Sequence, residues 1–368
     1  MKTTRRTLQA LKERGEPIAM LTCYDYCSAK ILDRAGIPLL LVGDSLGMVV
    51  LGGESTLEVT LEDMIRCARA VRRGAQNAMV VVDLPFAAYS PDNLPATLDN
   101  AARLMRETGA EAVKLEGGQA MVPAVRALTT IGIPVMGHLG LTPQSVHQFG
   151  GYHVQGRRPE AAQRLCDDAK ALEAAGAFAV VVELVPATTA GELAKQLHIP
   201  VIGIGAGPFC DGQVQVFHDL LGLYDDFAPR HAKNYAQLGR EIRGAAEKYL
   251  DEVRRKVFPG PEHSFDLPAA NDASQPSAGA SGAPPHGEKP DAAPSPRAPG
   301  SMPGTASATG FKKKKKRHAA AAGNLQTPAV PPASLKPSVP PPSPGAESLK
   351  KDGTVPGRRA DKNRRKKK

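Results

Sequence analysis

"LLLVGDSLGM", residues 39–48, begins as an unbroken aliphatic run and ends in an acid and a hydroxyl, Asp44 and Ser45. A run without polar alternation reads as a strand covered on both faces, as in a parallel sheet. A carboxylate directly after such a strand is either a helix cap or turn former, or part of a site. The neighbouring runs decide between these.

The same pattern recurs in "IAMLTCYD" (18–25), "AMVVVDLP" (78–85), "AVKLEGG" (112–118), "PVMGHLG" (134–140), "AVVVELVP" (179–186) and "PVIGIGAG" (200–207). Between them lie segments such as "TLEDMIRCARAVRRGA" and "RPEAAQRLCDDAKALEAAGA", whose apolar residues fall three and four apart. That spacing predicts helices, the second closing at "AAGA". Seven strands are visible, and "QVQVFHDLLGL" (213–223) is the weak candidate for an eighth. Strand and helix alternating in this way suit a (β/α)8 barrel, which takes about 250 residues. A doubly wound open sheet is the alternative. The barrel is preferred because of what stands at the strand ends.

The runs terminate in Asp25, Asp44 with Ser45, Asp83, Lys114 with Glu116, His138 and Glu183. In a parallel barrel those ends meet on one face, where active sites are built. Asp25 suits a cap or loop contact as well as catalysis. Asp83 does not suit a cap, because Pro85 follows too soon for a helix to start beside it. Strand alternation puts Lys114 and Glu116 on the same side; facing outward, both would be buried under helices without partners, at high cost. Three converging carboxylates, Asp44, Asp83 and Glu116, repel one another unless a cation sits between them. Oxygen ligands without Cys or His favour Mg²⁺ over zinc. Lys114 suits an anionic substrate such as a carboxylate. Glu183, on a different strand, is the candidate base, and His138 a substrate donor or a group behind the reacting ones. The glycines of "GIGAG" (203–207) read as backbone clearance at the rim rather than a phosphate cradle, with no helix start after them. "GHLGLTPQS" and "FGGYHVQGR" read as a strand exit and a long loop of the kind that closes over a site.

Charge and composition change at one place. Residues 266–368 hold 19 Lys and Arg against 7 Asp and Glu, leaving 28 against 30 for the body; the overall net of +10 therefore belongs to the tail. The body lacks the basic surface of a nucleic-acid enzyme. The tail carries 18 prolines, "FKKKKKRHAAAA" (311–322) and a terminal "RRADKNRRKKK" (358–368), with too little apolar surface to offset the entropy of ordering. Disorder is expected there. Its lysine runs suit non-specific polyanion binding, with a merely solubilising extension as the alternative. Five scattered cysteines, never spaced as CxxC, suit free thiols in a reducing compartment. The N-terminus lacks a signal-peptide apolar core, and no run approaches the roughly 20 apolar residues of a membrane span. A cytoplasmic protein is expected: a catalytic barrel over 1–265 and a low-complexity tail over 266–368.

With these residues assembled, the chain resembles the ketopantoate hydroxymethyltransferase family. The matching stretches are "TCYDY", "LLLVGDSLGMVVLG", "VVVDLPF", "VKLEGG", "GHLGLTPQSV", "GGYHVQGR", "ELVP", "GIGAGPFCDGQV" and "PEHSF", in family order over essentially all of 1–265. The resemblance implies a (β/α)8 barrel of the phosphoenolpyruvate/pyruvate-binding type. It implies transfer of a hydroxymethyl group from 5,10-methylenetetrahydrofolate to 3-methyl-2-oxobutanoate through a Mg²⁺-stabilised enolate. The product is 2-dehydropantoate, on the route to pantothenate and coenzyme A. It also implies Asp44, Asp83 and Glu116 at the Mg²⁺ site, directly or through water, and Asp44, Ser45, Asp83 and Lys114 at the oxoacid. Glu183 is implied as proton acceptor, and a homo-oligomer, often a decamer, as the assembly. His153 stands where the family has Lys, and everything after Phe265 is extra. Two other readings stay open: a Mg²⁺-dependent lyase or mutase of another 2-oxoacid, and a polyanion-binding protein with the barrel as carrier.

Overall fold

Eight parallel strands pair in chain order and the last pairs with the first, closing a barrel. The computed structural model describes residues 2–223 and 229–265; the tail expected over 266–368 lies outside the described residues. The strands are β1 (Ile18–Thr22), β2 (Leu39–Val42), β3 (Met79–Asp83), β4 (Ala112–Glu116), β5 (Val135–Gly140), β6 (Ala179–Glu183), β7 (Val201–Ile204) and β8 (Gly212–Gln215). The closed barrel excludes the open-sheet alternative.

Two hydrophobic layers explain the lack of polar alternation. Alternate residues such as Leu39, Leu41, Met79, Val81, Met136 and Val181 fill the barrel interior. The residues between them, among them Leu40, Val42, Val80, Val82, Val113 and Val180, pack against the surrounding helices. Each such side chain contributes about 1.5–3 kcal/mol by leaving water, so a one-residue slip, which exchanges the faces, is strongly disfavoured.

The helices begin where the sequence supplies caps. Leu61–Gly74 opens with a capping box: Thr60 Oγ1 accepts from the Asp63 amide at 3.2 Å, and Asp63 Oδ2 from the Thr60 amide at 3.1 Å. Its Met64, Ile65, Ala68 and Val71 form the buried stripe. Pro159–Ala174 starts on Pro159 and ends ahead of Gly176 at φ +103°, within the predicted "AAGA" stop.

One expectation is corrected and one open choice is decided. The eighth strand starts at Gly212 and stops at Gln215, well short of Leu223. Thr22 Oγ1 accepts from the Phe217 amide at 2.8 Å, and Phe217–Leu221 turns into a short helix. The first run ends at Thr22, and Asp25 caps the helix Tyr26–Arg34, accepting from the Ser28 amide at 2.9 Å and the Ser28 hydroxyl at 2.6 Å. Asp25 is thereby separated from the other acids.

Candidate active site

The side-chain parity that fills the barrel also builds the site. Asp83 continues the inward series Met79, Val81; Lys114 and Glu116 continue Ala112; His138 continues Met136; Glu183 continues Ala179, Val181. Register sets the levels, with Asp83 opposite Lys114 and Glu116 opposite His138. Asp44 comes from the turn after β2, where a Cβ on Gly43 would lie 2.9 Å from Ser45 Oγ. Neither Asp44 nor Ser45 caps the following helix Leu46–Val49. Ser45 Oγ instead lies 2.9 Å from the Tyr24 hydroxyl.

Seven of the eight residues singled out at the run ends, all but Asp25, line one cavity of about 340 Å³: Asp44, Ser45, Asp83, Lys114, Glu116, His138 and Glu183. Asp44, Asp83, Lys114, Glu116 and His138 are buried. Lys114 Nζ stands 3.0 Å from Asp83 Oδ1 and 3.9 Å from Glu116 Oε1. His138 is gripped at both ring nitrogens, Nδ1 3.2 Å from Glu116 Oε1 and Nε2 3.3 Å from Glu183 Oε2.

The charges adjust accordingly. Burial, and then repulsion from Asp83 and Glu116, raise the Asp44 carboxyl well above the usual range. Burial also raises Asp83, against the pull of Lys114. For Glu116 burial acts upward, but His138, Lys114 and the Gln144 amide outweigh it and hold the carboxyl low. Burial would lower Lys114, yet Asp83, Glu116 and Asp44 outweigh it and raise the ammonium. His138 is pushed up to about 9: burial and Lys114 oppose protonation, and Glu116 and Glu183 overcome them.

Sequence reasoning missed the residues that hold this belt together. Gln144, in a short turn after β5, donates from Nε2 to Asp44 Oδ2 at 2.7 Å and from its amide to Glu116 Oε2 at 3.0 Å. Tyr89 donates to Gln144 Oε1 at 2.8 Å and accepts from the Glu116 amide at 3.0 Å. Both sit in loops without a periodic signal; only the burial of a neutral amide in "LTPQS" marks the first. Tyr152, from the loop expected to close over the site, also lines the cavity. The glycines of 203–207 provide clearance: a Cβ on Gly203 would lie 2.8 Å from Cys210 Sγ, and one on Gly207 would overlap Ala187.

Among the described residues no three His, Cys, Asp or Glu side chains stand in ready-made metal-ligating geometry. The donor chemistry nonetheless fits a hard dication. Asp44, Asp83 and Glu116 offer carboxylate oxygens alone, and the cation nearest Asp83 Oδ1 is the Lys114 ammonium at 3.0 Å. A cation there would relieve the repulsion that, together with the larger effect of burial, raises Asp44.

The profile of the family described as ketopantoate hydroxymethyltransferase matches residues 2–261. The 3-methyl-2-oxobutanoate hydroxymethyltransferase of Roseiflexus sp. (strain RS-1) is 59% identical over 73% of this chain and 96% of its own length. That of Syntrophus aciditrophicus (strain SB) is 55% identical over 72% of this chain and 97% of its own. Among solved structures, 2,3-dimethylmalate lyase, a PEP mutase/isocitrate lyase superfamily member, is similar at 19% identity and a TM-score of 0.45, covering 72% of this chain and 93% of that one.

Proposed function

We propose a function and a mechanism from the premise that this chain belongs to the ketopantoate hydroxymethyltransferase family. Like the relatives so named, it transfers a hydroxymethyl group to 3-methyl-2-oxobutanoate. The finer reading is that 5,10-methylenetetrahydrofolate donates the one-carbon unit and that 2-dehydropantoate is the product. The observation that carries it is the belt of Asp44, Asp83, Lys114, Glu116, His138 and Glu183 around one cavity.

In this reading Lys114 and Ser45 hold the oxoacid, the ammonium offsetting its negative charge in a site from which water is largely excluded. Asp44, Asp83 and Glu116 would hold Mg²⁺, which supplies Lewis acidity to the oxygens of the acid. Glu183 removes the proton at C3 of the acid. His138, between Glu116 and Glu183, fixes the direction of the Glu183 carboxylate. Water adds to the methylene carbon of the donor and frees it from the folate nitrogens as a formaldehyde-level unit, tetrahydrofolate leaving; the C3 nucleophile attacks that carbon to form the C–C bond, and the new alkoxide takes up the proton that Glu183 removed. Gln144 steers both Asp44 and Glu116 from one side.

The test is incubation with both substrates. Accumulation of 2-dehydropantoate is expected; cleavage of a C–C bond in another 2-oxoacid, without that product, overturns the reading. A Mg²⁺ requirement is expected in the same assay.

The rest of the reading concerns the whole chain. A homo-oligomer, a decamer by resemblance, is supported by the helix Leu238–Arg254, which buries none of its side chains and leaves Ile242, Tyr249, Leu250 and Val253 exposed. Among the described residues no helix is long and apolar enough to cross a membrane. Cytoplasmic location suits the five free cysteines. The lysine runs beyond residue 265 suit non-specific polyanion contacts, with a solubilising extension as the alternative.

A further inference from the structure

Tyr89 stands in the loop between β3 and the helix Leu94–Thr108, and that loop is pinned on both sides of it. The Ala88 carbonyl accepts from Asn100 Nδ2 at 2.7 Å, and the Ser90 amide donates to Thr97 Oγ1 at 2.9 Å, both partners lying on that helix. The phenol is thereby presented from a fixed place. Its oxygen accepts from the Glu116 amide at 3.0 Å, and its one proton goes to Gln144 Oε1 at 2.8 Å.

The direction of the Gln144 side-chain amide follows from its neighbours. Nε2 faces two acceptors, the Leu84 carbonyl at 3.0 Å and Asp44 Oδ2 at 2.7 Å, and it has a hydrogen for each. Turned over, the amide would set an oxygen against both. Its own oxygen then needs a donor, and Tyr89 supplies it. Gln144 is buried, so losing that donor is costly.

These contacts divide each carboxylate of the belt. Asp44 Oδ2 is taken by Gln144 Nε2, Glu116 Oε2 by the Gln144 amide at 3.0 Å, and Asp83 Oδ2 by the Asp44 amide at 3.1 Å. A carboxylate with one oxygen held by an N–H meets a cation through the other. Three such single oxygens suit a small octahedral ion that keeps its waters. The larger Ca²⁺ takes about six to eight oxygens, often both from one carboxylate.

We propose that Tyr89 is a positioning residue for the metal site: acting through Gln144, it holds Asp44 and Glu116 so that each offers one oxygen, which tunes the site to Mg²⁺ against Ca²⁺. This rests on the hydroxymethyl-transfer reading and its Mg²⁺ site. Neither Tyr89 nor Gln144 is among the described residues lining the cavity, so the effect runs through the carboxylates.

The test is the thermal midpoint of the full chain, titrated with Mg²⁺ alone and with Ca²⁺ alone in the absence of substrate. Wild type should bind Mg²⁺ the more tightly. Tyr89→Phe removes the hydroxyl and keeps the ring. It should weaken Mg²⁺ about tenfold and leave Ca²⁺ unchanged or tighter. Gln144→Met, which keeps the backbone amide and the side-chain length, should shift the preference in the same way. The double variant should lose no more than Gln144→Met alone, because the two residues act in series. General loosening lowers the metal-free midpoint but leaves the ratio of the two affinities where it was. Unchanged preference in Tyr89→Phe, equal loss for both ions, or losses that add in full in the double variant each overturn the proposal. If Tyr89→Phe does not fold, the preference of Gln144→Met decides. Wild type whose midpoint responds to neither ion overturns the Mg²⁺ reading itself, so the two failures are distinct.

Discussion

Ionisation of Asp44 is opposed by burial first and then by Asp83 and Glu116. Its folded pKa is raised above the unfolded value near 3.9, so the unfolded chain releases its proton first as pH rises. The folded state therefore loses relative stability from about pH 4 upward until its own carboxyl ionises. Asp44→Asn should accordingly raise the metal-free stability at pH 7.5 by about 1–2 kcal/mol, with a smaller gain at pH 5. It should also abolish the stabilisation expected from Mg²⁺ at the proposed site. Thermal scans at the two pH values, with and without Mg²⁺, check both; a variant that is merely less stable at each would make Asp44 structural. Glu183→Gln makes the complementary prediction: C3 deuterium exchange should fall by about 10²–10⁴, with oxoacid binding retained by calorimetry. Wild-type exchange rates would remove Glu183 from the role of base. At this scale the ionisable residues were legible in the sequence because each ends an apolar run. Gln144 and Tyr89 were not, because their contacts join loops far apart in the chain, such as Gln144 and Asp44.

Asp25 and Asp44 follow strands in almost the same way, and only the elements around them tell them apart. Asp25 is in extended backbone and its carboxylate serves Ser28, one turn into the helix Tyr26–Arg34. Asp25→Ala should therefore cost about 1 kcal/mol of stability and leave turnover unchanged, as denaturant titration and the two-substrate assay would show. Asp44 precedes a four-residue helix that it does not cap, so its side chain stays available to the cavity. The end of β5 makes a second demand on the backbone. Gly140 stands at φ +88°, paired with Glu183, and an added Cβ would overlap the Glu183 carbonyl and meet Val185 Cγ2 at 2.6 Å. Gly140→Ala should thus displace the proposed base, lowering C3 exchange at least tenfold while magnesium-dependent oxoacid binding persists. Exchange at the wild-type rate in a folded variant would show that β6 tolerates the shift. The strands themselves were readable because both of their faces are apolar. The eighth was misjudged in length because its pattern runs on through Phe217 into the next helix, and the stop is set by a side chain from β1, Thr22.

The whole chain joins a near-neutral body to a strongly basic extension, and their activities should separate. The body's matched region, residues 2–261, contains every residue of the proposed site. Truncation after Phe265 should accordingly leave hydroxymethyl transfer unchanged. The proposed assembly is placed on the body as well: Leu250→Glu, which puts a carboxylate on the exposed apolar face of Leu238–Arg254, should shift sedimentation towards smaller species if that face is covered in an oligomer. The extension obeys different physics, because polyanion binding releases counterions and weakens with salt in proportion to the phosphates neutralised. Its charge is concentrated in "FKKKKKRH" (311–318) and "RRADKNRRKKK" (358–368), separated by a proline-rich spacer. If both clusters engage one strand, removing the last eleven residues should lower the slope of log K against log salt while leaving measurable RNA retention. If only the terminal cluster engages, that deletion should abolish retention as completely as truncation at Phe265. Equal retention by the intact and truncated chains would leave the extension with a solvating role alone.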